Sequence, residues 1–349
     1  MKTKDIKKTK VNNKRIRKHL ALVLGALGGS FAPVAAHANM IYVSNHDDGS
    51  SSVVSEYTET GTTITSSNPS LIPNTGNLYE PAGLALSGGN VYVANEASPG
   101  GTGQITEYNA STGAYVAMPV SSGLSTPLGL AIYGTKMFVA NYGNNEISEY
   151  TTSGTLLNIA FISGLSGPSS VAISPNGEYL FVGNIGSSGT YSGKVAVYNI
   201  ISTPTLVDAF SVPHSPFGIA AADNDADIYV TSNPGDSISE YSLSGSLVNT
   251  FGSSGTDTLD EAYGIAYNNG NLFVSSIQPA GGAQTTTSGI VEEFNAATGA
   301  AISTSPDPLI SNLDDPYDIA VAPEPGSLAV LGLGAVGLLL KRKKTRIST

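Results

Sequence analysis

The strongest constraint on the fold is a unit that recurs six times between residues 39 and 322. Its first element reads Pro-x-Gly-[Leu/Ile]-Ala at Pro81–Ala85, Pro127–Ala131 and Pro216–Ala220, and recurs in altered form at Pro168–Ala172, Ala262–Ala266 and Pro316–Ala320. The second is an apolar-aromatic-Val-small-Asn run at Ile41–Asn45, Val91–Asn95, Met137–Asn141 and Leu180–Asn184, with Ser in last place at Ile228–Ser232 and Leu272–Ser276. The third ends at Tyr57, Tyr108, Tyr150, Tyr198, Tyr241 or Phe294, preceded in five cases by Glu. A Gly-bearing turn and a fourth, less regular segment follow. β-Branched and aromatic residues at these places favour strands, and the links Ser87–Asn90, Ser174–Gly177 and Asn268–Asn271 carry hairpin chemistry. Four antiparallel strands per unit, repeated every 41–54 residues, describe a propeller blade. The expected class is therefore all-β: a six-bladed β-propeller of four-stranded antiparallel blades.

The register of the repeat also predicts how the ring closes. The first unit begins at its second element, Ile41, and the last stops after its first element, Pro316–Val321. The C-terminal strand should thus become the innermost strand of the N-terminal blade, completing six blades and removing open sheet edges.

Charge excludes whole classes of function. Of 16 Lys and Arg, nine lie in residues 1–18 and five in residues 341–346, so Lys136 and Lys194 are the only Lys or Arg in residues 19–340, against 26 acids. Such a surface repels phosphate backbones, which argues against nucleic acid as a partner. With no Cys there is no disulfide framework, thiolate metal site or cysteine nucleophile.

The two ends read as addresses. A basic stretch over residues 1–18, the apolar run Leu20–Leu27 and the small-x-small pattern Ala36-His37-Ala38 form a signal peptide over residues 1–38. Signal peptidase should cut between Ala38 and Asn39. Residues 39–322 are the expected propeller. Residues 323–349 hold Pro323-Glu324-Pro325, the 13-residue apolar run Leu328–Leu340 and the basic cluster Lys341–Arg346. That run is shorter than the roughly 20 residues of a stable span, so it reads as a membrane-arrest segment with its basic end held in the cytoplasm. A permanent tail anchor is the alternative.

This C-terminal order of motif, apolar helix and basic tail closely resembles the PEP-CTERM sorting signal of Gram-negative bacteria. The resemblance implies recognition by an exosortase-type enzyme, a short transmembrane helix that anchors the protein transiently at the inner membrane, and delivery to the outer surface or extracellular matrix. The repeat itself resembles NHL-type and YVTN-type propellers, and more loosely the gluconolactonase and streptogramin-lyase relatives, over residues 40–321.

Candidate chemistry collects at one mouth of the channel. Antiparallel order puts the start of each first strand and the end of each second on one rim, which gathers Asn45, Asn95, Asn141, Asn184 and Glu80. His46, Asp47, Asp48, Glu96, Glu146, His214, Asp236, Asp260, Glu261, Asp314 and Asp315 lie in the loops there. Oxygen ligands of this kind suit a hard cation or a sugar, while Asn at a strand end more often bonds its own backbone. In the gluconolactonase relatives the metal is held by an acid near the first inner strand, by Asn, and by the Asp of a Pro-Asp-Gly turn. The resemblance gives Glu80 the first role, but the turn positions here are Ala82, Leu128, Ser169, Phe217, Tyr263 and Tyr317. No catalytic residues, metal ligands or cofactor are therefore expected, beyond loosely bound calcium at the rim. The Asp223–Asp227 run lacks the Gly and distal Glu of a calcium loop and reads as a hairpin turn. Gly281, Gly282 and Thr285–Gly289 read as a surface insertion. The expectation is a monomeric, non-enzymatic binding module whose partners are the processing enzymes and an extracellular polysaccharide or envelope protein. The alternative is a metal-dependent lactonase or lyase.

Overall fold

The computed structural model describes residues 38–46, 52–97, 102–186, 193–234, 237–252, 259, 261–278, 288–302 and 308–323. The signal segment with Ala36, the acids Asp47, Asp48, Asp236 and Asp260, the insertion around Gly281, Gly282 and Thr285, and the tail with Glu324 and Pro325 lie outside these residues. The chain divides into two units, residues 1–36 and 37–349, and every strand belongs to the second.

The strands form six four-stranded antiparallel sheets. Blade 1 runs, from the axis outward, Pro316–Pro323, Ala38–Asn45, Val53–Thr60 and Thr63–Ile72. Blade 2 is Pro81–Ser87, Asn90–Asn95, Gln104–Asn109 and Tyr115–Val120, and blade 3 is Pro127–Tyr133, Lys136–Asn141, Glu146–Thr151 and Leu156–Ile162. Blade 4 comprises Pro168–Ile173, Tyr179–Asn184, Lys194–Asn199 and Thr205–Ser211. Blade 5 comprises Ser215–Ala221, Asp227–Asn233, Ser237–Ser242 and Leu247–Phe251; blade 6 comprises Ala262–Asn268, Asn271–Gln278, Ser288–Asn295 and Ile310–Leu313. Inner strands neighbour one another around the whole circle, blade 6 against blade 1 and blade 1 against blade 2. The fold is thus the expected six-bladed propeller, and among the described residues there is no helix.

The apolar run in each second strand follows from its position. These strands are covered on both faces, so Val91–Asn95 and Met137–Asn141 are buried throughout and lose the alternation of a half-exposed strand. The core is a set of layers between blades: Tyr42, Val54 and Ile72 pack with Leu78, Leu84 and Val91 between blades 1 and 2, and Ile41 and Val43 with Phe273 and Val291 between blades 6 and 1. Outer strands leave Leu156, Leu157, Leu206 and Val207 about half exposed, which is why the fourth element carries no regular pattern.

Two sequence features serve the approach of blades at the axis. A Cβ on Gly83 would lie 2.4 Å from the Leu128 carbonyl oxygen, and one on Gly218 would lie 2.4 Å from the Tyr263 carbonyl oxygen. The Gly of Pro-x-Gly is therefore the residue that lets neighbouring inner strands touch. A hydroxyl in the small position of the second strand then stitches them: Ser44 Oγ donates to Ala82 O at 2.7 Å while accepting from Asp318 N–H at 2.9 Å. Thr231 and Ser275 bridge to Tyr263 O and Tyr317 O in the same way.

Blade 1 joins the two ends of the chain. Residues Asn39 to Asn45 pair antiparallel with Pro323 to Pro316, with one irregularity at Ser44/Asn45, as the repeat register required. The paired strands include Ala38 and Pro323, one residue beyond the expected propeller at each end. The hairpin at Gly88-Gly89 has φ of +59° and +81°, and that at Asn269-Gly270 has +51° and +86°, the left-handed pair that matches strand twist. Asp223–Asp227 is also a turn: Asn224 Oδ1 accepts from the Ala226 and Asp227 N–H groups, and its amide donates to Asp227.

At the face opposite the mouth, hereafter the foot, Glu59 and Glu293 meet between blades 1 and 6. Both are buried to within 1 %. Asn39 donates to Glu59 at 2.8 Å and Asn271 to Glu293 at 2.7 Å. Burial, then the hydrogen bond and repulsion from Glu59, raise the Glu293 carboxyl to about 8, with the Asn271 amide opposing them.

Candidate functional site at the channel mouth

In five of the six blades, all but blade 5, the residue before the first strand and the residue that follows the Asn or Ser ending the apolar run of the second lie side by side at the mouth, tied by a backbone bond. His46 N–H donates to Asp315 O at 2.9 Å, Glu96 to Glu80 O at 3.1 Å, Tyr142 to Thr126 O at 3.0 Å, Ile185 to Gly167 O at 2.9 Å and Ile277 to Glu261 O at 3.2 Å. Blades 1 and 2 fill these paired places with Asp315 and His46, and with Glu80 and Glu96. Glu80 and Asp315 hold left-handed backbone, φ +46° and +48°, unusual for residues that precede proline.

Ring geometry brings those pairs together. His46, Glu80 and Glu96, all half-buried, each place a ligand-type atom within 4.8 Å of the others. His46 Nε2 stands 3.1 Å from Glu96 Oε2, and Nδ1 stands 3.8 Å from Asp315 Oδ2. Burial pulls the imidazole pKa down, but hydrogen bonds and attraction from Asp315 and Glu96 outweigh it and hold it up at about 10. Glu80, which the resemblance singled out among the rim acids, thus stands in one cluster with His46, Glu96 and Asp315.

From His46 an arc of aromatic rings crosses the mouth: His46 to Tyr317 at 5.2 Å, Tyr317 to Tyr263 at 5.4 Å and Tyr263 to Phe217 at 4.9 Å. Burial, then the charges of Glu261 and Asp315, push the Tyr263 hydroxyl up to about 12, an effect that Asn233 opposes. Below the arc lies a small space. The space lined by Leu128, Ser169, Phe217, Tyr317 and Asp318 amounts to about 30 Å³, room for about one water. Asp318, in place of the turn Gly, reaches across to blade 2, where its Oδ2 accepts from Leu84 N–H at 2.8 Å. Burial raises its carboxyl to about 6 in spite of the Leu84 and Ile319 N–H groups.

The Asn set does a different job. Asn95 Oδ1 accepts from Tyr79 N–H at 2.9 Å, Asn141 Oδ1 from Ser125 N–H at 3.1 Å and Asn184 Oδ1 from Ser166 N–H at 3.2 Å. Each amide donates back to its own strand, at Val93 O, Val139 O and Val182 O. Asn45 donates to Val43 O and Ser55 Oγ, while its Oδ1 finds no partner among the described residues. All four are buried, and three carboxamides pin the loop two residues ahead of the inner strand of their own blade. His214 lies in blade 5, away from the cluster.

The signal that could have revealed the cluster lies in two columns of the repeat. The position after the strand-end Asn holds His46 and Glu96 in adjacent units, and the position before Pro holds Asp315 and Glu80.

Comparison with known proteins agrees with both halves of this description. The PEP-CTERM protein-sorting motif matches residues 321–343. No curated protein sequence matches the chain. Among solved structures, a chain of a nidogen/laminin complex superposes with a TM-score of 0.61 at 13% identity, covering 81% of this chain and 98% of its own. The periplasmic gluconolactonase PpgL of Pseudomonas aeruginosa gives 0.53 at 16% identity, covering 82% and 100%. A functionally unknown protein from Desulfotomaculum acetoxidans gives 0.53 at 16% identity, covering 81% and 99%. At such identities the likeness is one of fold. The sorting motif implies processing by an exosortase-type enzyme, export and membrane-anchored sorting in a Gram-negative bacterium. Among the described residues no helix is long and apolar enough to cross a membrane, and the apolar run Leu328–Leu340 lies outside them. A C-terminal PEP-CTERM sorting motif on a six-bladed β-propeller is what this chain carries.

Proposed function

We propose that the protein is a surface- or envelope-associated, non-enzymatic binding module, cut by signal peptidase after Ala38, processed at Pro323-Glu324-Pro325 and then held at the outer surface or in the extracellular matrix. The observation that carries this reading is the direction of the closing strand. Pro316 stands at the mouth beside Asn45 and Pro323 at the foot beside Asn39, so the sorting tail follows from the foot and the mouth is turned away from the point of attachment. The small volume of the space below the arc supports a surface contact in preference to a buried substrate. Half-buried Phe217, Tyr263 and Tyr317 among acids suit stacking and hydrogen bonding with sugar rings or an envelope protein.

The test is capture of purified extracellular polysaccharide, and separately of envelope proteins, by the immobilised full-length protein. Retention that falls when Phe217 and Tyr263 are replaced by Ala supports the reading; retention indifferent to both replacements refutes it. Metal-dependent lactone hydrolysis is the second reading, favoured by the meeting of His46, Glu80 and Glu96. Turnover abolished by Glu80→Gln would install it.

A further inference from the structure

We propose that the mouth binds one divalent transition-metal ion of the zinc type through His46 Nε2 and carboxylate oxygens of Glu80 and Glu96, with Asp315 as the positioning residue for the imidazole. The ligand atoms come from three chain segments, yet lie within 4.8 Å of one another. Ligands about 2.0 Å from a tetrahedral zinc ion stand roughly 3.3 Å apart, and His46 Nε2 is already 3.1 Å from Glu96 Oε2. Small side-chain rotations complete the set.

The scaffold holds the donors on fixed positions. His46 directly follows the strand Ala38–Asn45, Glu80 directly precedes Pro81–Ser87, and Glu96 directly follows Asn90–Asn95. Their backbones are tied by the His46–Asp315 and Glu96–Glu80 bonds. With Nε2 on the ion, Nδ1 faces Asp315 Oδ2 at 3.8 Å, the carboxylate–histidine–metal order in which the outer carboxylate sets tautomer and ring direction.

A second, independent observation is the missing counter-charge. Lys136 and Lys194 are the only Lys or Arg in residues 19–340. Lys136 is paired with Glu149 at 2.7 Å in blade 3, and Lys194 lies in blade 4, on the other side of the ring from blade 1. Neither lysine thus stands at the carboxylates of Glu80, Glu96 and Asp315, and a metal ion would supply the counter-charge there. One imidazole and two carboxylates favour zinc over calcium, which takes six to eight oxygens. Three protein ligands leave a coordination position open to solvent or to a group on a partner.

This inference goes beyond the binding-module reading and is tested without any partner, so the two can fail separately. The full-length protein, solubilised in detergent and stripped with chelator, is titrated with Zn2+ by calorimetry and with Co2+ by visible absorption. One Zn2+ per chain should survive dialysis, and Co2+ should give the absorption of a low-symmetry site. Glu80→Gln and Glu96→Gln should each weaken Zn2+ at least about tenfold, and Asp315→Asn by about tenfold. Glu261→Gln, at the mouth but outside the cluster, should leave binding unchanged. Circular dichroism and thermal midpoints matching the parent show that the variants fold. Absence of retained Zn2+, or retention unmoved by Glu80→Gln and Glu96→Gln, or equal loss with Glu261→Gln, overturns the site.

Discussion

Replacing Glu293 by Gln should stabilise the ring in mild alkali and leave it unchanged in acid. Glu293 is fully buried at the foot, where burial, followed by the hydrogen bond and repulsion from Glu59, lifts its carboxyl from 4.5 to about 8 against the Asn271 amide. The folded protein therefore keeps a proton that the unfolded chain gives up near pH 4.5. Its contribution is fully present below that pH and is lost as pH rises through 8. Across the window each pH unit lowers wild-type stability by about 1.4 kcal/mol relative to a neutral side chain. At pH 7.5 the difference is roughly 4 kcal/mol, equivalent to about 8 °C at ~2 °C per kcal/mol for a domain of this size. Gln keeps the acceptor oxygen for Asn271 and offers its amide to Glu59, so no cavity is made. Calorimetry of parent and variant at pH 4.5, 6 and 7.5 should show midpoints that coincide at the first pH and separate steadily. A gap that is constant with pH, or a parent more stable at pH 7.5, would refute the shared-proton reasoning.

Two further outcomes follow from the ring. Gly83→Ala places a methyl group 2.4 Å from Leu128 O and 2.9 Å from Leu130 N, and should cost about 1–3 kcal/mol by forcing the inner strands of blades 2 and 3 apart, read as a lower denaturant midpoint; an unchanged midpoint would show that these strands yield freely. Asn95→Ala leaves the Tyr79 N–H and the Thr106 hydroxyl without their bonds and should cost about 1–3 kcal/mol, with faster amide exchange at Tyr79; exchange at the parent rate would place the loop's restraint elsewhere.

Much of the architecture was legible because each blade repeats the same physical demand. Second strands buried on both faces need continuous apolar runs, inner strands in contact need Gly83, Gly129, Gly218 and Gly264, and the half-units at Ile41 and Pro316 can only complete one another. The cluster was harder to read. His46, Glu80 and Glu96 are separated by up to 50 residues and become neighbours only because adjacent blades turn their mouth pairs toward each other. The Asn residues stood out by recurrence in four of the six units, but in three of them the carboxamide ties a loop, a structural task that blades share. Chemistry particular to one mouth has to come from positions that vary, and these are the columns holding His46 and Glu96, and Asp315 and Glu80.

The seam in blade 1 also orders events during export. Asp318 N–H and Ser44 Oγ, 274 residues apart in sequence, form one of the last contacts that synthesis makes available. Until Pro316–Pro323 is available to pair, the strand Ala38–Asn45 keeps an unpaired edge, and the circle of blades stays open however well the other five have formed. The last three of the eight residues that close it already belong to the matched sorting motif. Closing strand and sorting motif are thus contiguous in the chain, and the ring can be sealed only once the sequence up to that motif is free to fold.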